Sequence, residues 1–222
     1  MPYTVEQAPE YLAVRFPEAQ RTLGWTLLHP GFALVDTVAW IEVRNADLTP
    51  EIDAAAFLRD RLRRHQLDHA LAFMTARNIG RHHAKQVRVE DVVATCLTTV
   101  GLANGERIGS RRPVRSRVGT INTLVHVSAP LTEGAFLEAI SIVAQARTVA
   151  LLEARHSIDG APISGTGTDC IVIAAPVSGA PLAAAGLHTA VGEAVGAATY
   201  GATKAGALEW QAEFASAPTE RP

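Results

Sequence analysis

Apolar residues in the first two thirds of this chain come in short runs, each stopped by proline, glycine or a charged cluster. Runs of that length suit buried strands, whereas a bundle of long helices needs a sustained 3.6-residue period. Residues 11–16, 23–28 and 34–43 read as strands, with a turn over residues 17–20 and a break at Pro30-Gly31. Residues 70–75 and 89–99 read as buried strands. Between them, Phe57, Leu58 and Leu62 recur at helical spacing while Arg59, Arg61, Arg63 and Arg64 take the other faces, which predicts a helix over 54–65. Residues 77–86, with His82 and His83 adjacent, fit either a short helix or a loop.

The last third alternates more plainly. Residues 120–127 read as a strand, and Thr132 is a helix cap with Glu133 in the first turn. A long helix follows to about Arg155 through Phe136, Ile140, Val143 and Leu152. Residues 158–168 are rich in glycine and read as a loop, 171–175 as a strand, and 187–210 as an alanine-rich helix. Strands mixed with helices and no internal repeat predict one α/β or α+β domain over residues 1–214, a mixed sheet flanked by helices. Residues 215–222 are expected to form a flexible tail.

Composition narrows the function. Among 222 residues 48% are hydrophobic, enough for a core, and the net charge of −2 gives no global field for nucleic acid or an anionic membrane. Residues 1–117 carry +3 and residues 118–222 carry −5. The surplus sits in Arg107, Arg111, Arg112, Arg115 and Arg117, a solvated loop or an anion-contacting patch, with no interleaved aromatic to favour single-stranded nucleic acid. The longest uncharged stretch, residues 170–187, is interrupted by Pro176, Gly179, Pro181 and Gly186, too broken for a membrane helix. Cys96 and Cys170 form no disulfide framework and no zinc spacing, and no secretory leader is visible at the start. A cytoplasmic protein without nucleic-acid or membrane partners is expected, with homo-oligomerisation left open.

Polar chemistry concentrates in four motifs. The densest is Gly165-Thr166-Gly167-Thr168-Asp169-Cys170, directly before a strand: glycines let a backbone approach a ligand, hydroxyls donate, and an acid at a strand entrance must be solvated, paired or functional. The order fits neither a dinucleotide fingerprint nor a phosphate loop, and an ordinary structural turn has the same composition. The second is Gly186-Leu187-His188-Thr189 with Gly192-Glu193 and Gly196, which serves either a tight helix crossing or a ligand face with His188 as acid or base. Gly101-Leu102-Ala103-Asn104 and Gly119-Thr120-Ile121-Asn122 lie at strand ends. His82 and His83 lack a third ligand at a suggestive spacing, and no metal is expected.

In this order, and joined by Met74-Thr75-Ala76, Val100, Arg107 and Gly109, the motifs resemble the adenosylcobinamide amidohydrolase family of corrinoid salvage, over about residues 14 to 203. The resemblance implies hydrolysis of the amide joining aminopropanol to a corrin propionate, giving adenosylcobyric acid, with a corrinoid as the small-molecule partner and no cofactor. It also implies a Thr-Glu-Ala-Lys stretch where this chain has Ala144-Gln145-Ala146-Arg147, which supports the alternative of a corrinoid-binding protein that does not cleave. Amide hydrolysis needs a base for water, a stabiliser for the oxyanion and a proton for the amine. Asp169, His188 and Glu193 are expected to supply the acid–base chemistry from one shared pocket. Gly165, Thr166, Gly167, Thr168, Thr120, Asn122, Asn104 and Thr189 are expected to hold the substrate's amides. Thr168 and Cys170 stand as alternative nucleophiles.

Overall fold

A computed structural model of the chain describes residues 1–49, 51–110 and 119–215. The arginines at 111, 112, 115 and 117 and the tail at 216–222 lie outside the described residues. The element order is β1 (Thr4–Ala8), β2 (Tyr11–Gly24), β3 (Gly31–Glu42), α1 (Ala54–Arg64), β4 (Leu71–Thr75), β5 (His82–Val89), β6 (Val92–Val100) and β7 (Gly105–Glu106). Then follow β8 (Ile121–Val127), α2 (Glu133–Glu153), β9 (Ser157–Ile158), β10 (Ala161–Pro162), β11 (Gly165–Thr166), β12 (Cys170–Pro176) and α3 (Ala190–Ala215). The main sheet runs β4-β3-β2-β12-β8-β6-β5, with β1 paired to β2. β12 runs parallel to β8, and β3 to β4; the other pairs in the main sheet are antiparallel. The chain is one mixed α/β domain, as the pattern of short runs predicts.

The sheet is doubled over. Leu12, Val14, Val38, Trp40, Leu71 and Phe73 of β2–β4 share one buried cluster with Leu97, Leu124, Val172 and Ala174 of β6, β8 and β12. Strands remote in the sheet order thus face each other across a core. On the opposite face, Val125, Val127, Ile171, Ile173 and Ala175 pack against Phe136, Ala139 and Val143 of α2 and Ala194, Val195 and Ala198 of α3. Outside the folded-over half, Leu58 and Leu62 of α1 cover Ala39, Ile41, Ala70 and Ala72. Cover on both faces explains why every residue of β8 is buried, and why its sequence shows no alternation.

Several sequence expectations need correcting. Residues 17–20 form no turn: β2 continues through them with a register shift against β3 between Arg15 and Gln20. Pro17 cannot donate to a ladder, and such an irregularity accommodates it while bending the strand. The run at 89–99 is two strands joined at Glu90, whose φ of 50° closes a tight hairpin. The undecided segment 77–86 is a 3₁₀ turn (Ile79–Arg81) leading into the edge strand β5. The loop at 158–168 carries the short strands β10 and β11.

The three expected helices stand, α3 from Ala190 rather than 187, and the caps of α1 and α2 explain where those two begin. Asp53 accepts from the N–H groups of Ala55 and Ala56 at the start of α1, and Thr132 accepts from Ala135 at the start of α2. By length and composition α2 could cross a membrane. Here Ala135, Phe136, Ala139, Ile142 and Val143 pack on the sheet and on α3, while Leu137, Val149 and Leu152 are exposed.

Candidate functional site

The turn between β11 and β12 is built around one carboxylate. Asp169 Oδ2 accepts from Arg147 Nη1 at 2.7 Å and from the Thr166 N–H at 3.0 Å. Its Oδ1 accepts from the Ile121 N–H at 3.2 Å and from the Thr166 hydroxyl. Four donors fill the lone-pair positions of a carboxylate. The Asp169 side chain is 7% exposed and that of Arg147 14%, so the pair is nearly out of water. Burial pushes the Asp169 carboxyl upward, while Arg147, Thr166 and Ile121 pull it back.

Glycine is required at the centre of this arrangement. A Cβ on Gly165 would lie 2.8 Å from Asp169 Oδ2 and 3.3 Å from Arg147 Nη2. The ion pair can close over the turn because nothing projects there.

Three further segments complete the neighbourhood of Asp169. β7 pairs with β11, setting Glu106 opposite Gly165 and Gly105 opposite Thr166. The carbonyl of Asn104 accepts the Gly167 N–H at 3.1 Å, and a Cβ on Gly167 would touch the Asn104 side-chain amide at 3.1 Å. Gly119 threads between: a Cβ there would lie 2.8 Å from the backbone nitrogen of Ala103 and 2.9 Å from that of Asn104. Thr120 donates to the carbonyl of Thr168 at 2.8 Å, and the Thr168 hydroxyl to that of Gly119 at 3.4 Å. Asn122, opposite Cys170 across β8 and β12, donates to the carbonyl of Met74 at 2.7 Å, so it ties β8 to the folded-over half of the sheet. Gly165, Thr166, Gly167, Thr168, Asp169, Asn104, Thr120 and Asn122 are therefore one neighbourhood, with Gly167 and Thr168 exposed at its mouth.

His188, Thr189 and Glu193 lie elsewhere. The backbone N–H of Ala185 donates to Glu138 at 2.6 Å, and a Cβ on Gly196 would touch Ile142 at 3.4 Å, so α3 begins level with the first turns of α2. Arg147 lies nine residues further along α2 than Glu138, a rise of about 13 Å. His188 and Glu193 are both exposed at that far end. The expectation of one pocket shared by Asp169, His188 and Glu193 is thus corrected.

The glycines at the far end have a packing role. Thr189 caps α3, accepting from the Gly192 N–H at 3.0 Å and donating to the Gly186 carbonyl at 2.8 Å. A Cβ on Gly192 would collide with that same carbonyl oxygen at 2.1 Å. The row Gly192–Gly196 serves a tight turn and a helix crossing, the bland alternative of the sequence reading.

Sequence reasoning missed Arg147 as Asp169's partner. The signal was a lone cation on the otherwise uncharged stretch from Ile142 to Leu152. Gln145 is about 200° round the helix from it, and is exposed. Cys170 is a poor nucleophile: burial, helped by the nearby Asp169, pushes its thiol up to about 11. His83 pairs with Glu209 at 2.7 Å, and no group of three ligating side chains able to hold a metal occurs among the described residues.

The model of the adenosylcobinamide amidohydrolase family matches residues 2–215. The chain belongs to that family. Membership in the adenosylcobinamide amidohydrolases makes it a hydrolase of the cobalamin salvage class, and the motifs that suggested the resemblance meet at the Asp169 end of β12, the histidine motif excepted. No curated protein matches the chain. Among solved structures, the PH0078 protein from Pyrococcus horikoshii OT3 is similar at 10% identity and a TM-score of 0.44, covering 96% of this chain and 83% of its own.

Proposed function

We propose that this chain hydrolyses the amide joining aminopropanol to a corrin propionate in adenosylcobinamide, releasing adenosylcobyric acid and aminopropanol. The family match over residues 2–215 carries the reading. The polar neighbourhood around Asp169 supports it, because it joins a buried carboxylate to hydroxyls and amides that suit an amide-edged substrate.

In this reading water does not meet Asp169 directly, since the carboxylate's acceptor positions are filled. Water donates to the Thr166 hydroxyl, whose own proton passes to Asp169 Oδ1 as the water oxygen bonds to the scissile carbonyl carbon. Collapse of the tetrahedral intermediate breaks the C–N bond, and the proton returns through Thr166 to the departing amine. Burial, which raises the proton affinity of Asp169, favours its taking the proton; Arg147 keeps the carboxylate aligned. Thr168 and Asn104, at the mouth, hold the substrate's carbonyl and neighbouring amides. We place the reaction in the cytoplasm, where the unpaired thiols Cys96 and Cys170 stay reduced.

Incubation of the purified protein with adenosylcobinamide, followed by mass spectrometry, tests this. Adenosylcobyric acid and free aminopropanol are expected in equal amounts. Tight binding with no aminopropanol released would overturn hydrolysis in favour of a corrinoid carrier.

A further inference from the structure

Trp25 stands apart from the other two tryptophans. Trp40 is fully buried against Phe73, and Trp210 stacks on Phe214. Trp25 leaves 41% of its surface in solvent, yet its indole is not loose. The ring N–H donates to the Asp169 carbonyl at 2.7 Å, and the backbone N–H to the Ile171 carbonyl at 3.3 Å. Both anchors lie at the entrance of β12, on the residue that carries the buried carboxylate and two places beyond it.

The approach that makes this possible depends on Gly24. A Cβ there would lie 2.4 Å from the Ile171 carbonyl oxygen, so only glycine lets the end of β2 come close enough to set the next residue on Asp169. Just beyond, the Thr26 hydroxyl bonds both the carbonyl and the N–H of His29, which closes the following turn and fixes the direction in which the chain leaves.

An exposed aromatic ring that is pinned at its edge presents a rigid face. Rigid faces bind flat ligands at little entropic cost, because no rotamer has to be frozen on binding. Gly167 and Thr168, the two residues before Asp169, are exposed as well. The indole is thus an exposed ring bonded to the residue that carries the buried carboxylate.

We infer that Trp25 is the platform on which the substrate stacks a flat conjugated ring, and so is a binding and specificity-determining residue. The inference rests on the hydrolase reading given above, because it takes the Asp169 pocket as the place where the substrate's side arm is cut. A corrinoid offers two such rings, the corrin macrocycle and the adenine of its adenosyl ligand.

Isothermal titration of adenosylcobinamide and of dicyanocobinamide, which lacks the adenine, into wild type, W25A and W25F separates them. W25A should bind roughly 5- to 100-fold more weakly, the range that loss of base–aromatic stacking gives. W25F, which keeps a ring but loses the N–H, should bind within about threefold of wild type. In turnover the W25A loss should appear in KM rather than kcat. Weakening with both ligands assigns the corrin, and weakening with the adenosyl form alone assigns the adenine; either supports the platform.

Equal affinities for W25A and wild type would overturn it while leaving the hydrolase reading intact. So would W25F falling as far as W25A, since the hydrogen bond rather than the face would then be what matters. Wild-type protein that binds neither corrinoid would remove the hydrolase reading and the platform together.

Discussion

Motifs with glycine and threonine lie before and beyond β12, yet they are built for different purposes. At the entrance, Gly165 and Gly167 leave room for polar atoms: an aspartate, an arginine and an asparagine amide. Beyond the exit, Gly192 leaves room for a carbonyl of its own turn, and Gly196 for a methyl group of Ile142. A glycine-threonine motif therefore states that something comes close, and what comes close decides the role.

That contrast can be broken or sharpened by substitution. The largest effect is expected from R147A, which strands a buried carboxylate and should lower stability by about 3–5 kcal/mol in chemical denaturation. D169N keeps the shape of the turn but cannot take a proton; its rate of aminopropanol release should fall about 10²–10⁴-fold while the protein stays folded. Unchanged turnover in D169N would remove the entrance from the chemistry.

The far half of the sheet has a buried polar group of its own. His126, on β8 opposite Ala174 of β12, lies against Tyr3 and Phe16, and burial pushes its imidazole down to about 4. The unfolded chain takes up that proton near pH 6.5 and the folded one does not. Stability should hold above about pH 6.5 and decline as pH falls toward 4, by up to about 3 kcal/mol. H126F should flatten that slope in pH-dependent melting; an unaltered slope would place the titrating group elsewhere.

Two alanine substitutions compare the ends directly. G192A should cost about 1–3 kcal/mol of stability, because a backbone carbonyl must move, with turnover per folded molecule retained. G165A should do the reverse, moving Asp169 and Arg147 and cutting turnover up to about 100-fold for a smaller change in melting temperature. Smallest of all should be H188A and E193Q, both exposed: stability within about 0.5 kcal/mol and turnover within about twofold of wild type. A large loss in either would bring the far end back into the mechanism.

Much of the core was legible in the sequence, because β12 is an almost unbroken apolar run, β8 holds no charged residue, and α1 and α2 carry their caps and spacing in adjacent residues. β5 was not, since its exposed positions are Ala84, Lys85, Gln86 and Arg88 and only its pairing with β6 makes it a strand. β2 was misread because Pro17 ends most strands and here only bends one. In the site, the residues of the Gly165–Asp169 motif were found, since their polar groups bond one another. Arg147 and the Met74 carbonyl were not, because Asp169 and Asn122 reach them across 22 and 48 residues of chain. His188 was placed wrongly for the same reason: position along β12 is a distance in space that the order of motifs does not encode.

The hydrogen bond from Asn122 to Met74 has a consequence for how this molecule can be taken apart. It spans the crease of the doubled-over sheet, and so the backbone that frames the pocket comes from both leaves at once. Neither leaf could be excised as a working module, and a strained crease would be felt at the substrate's door before it was felt as melting.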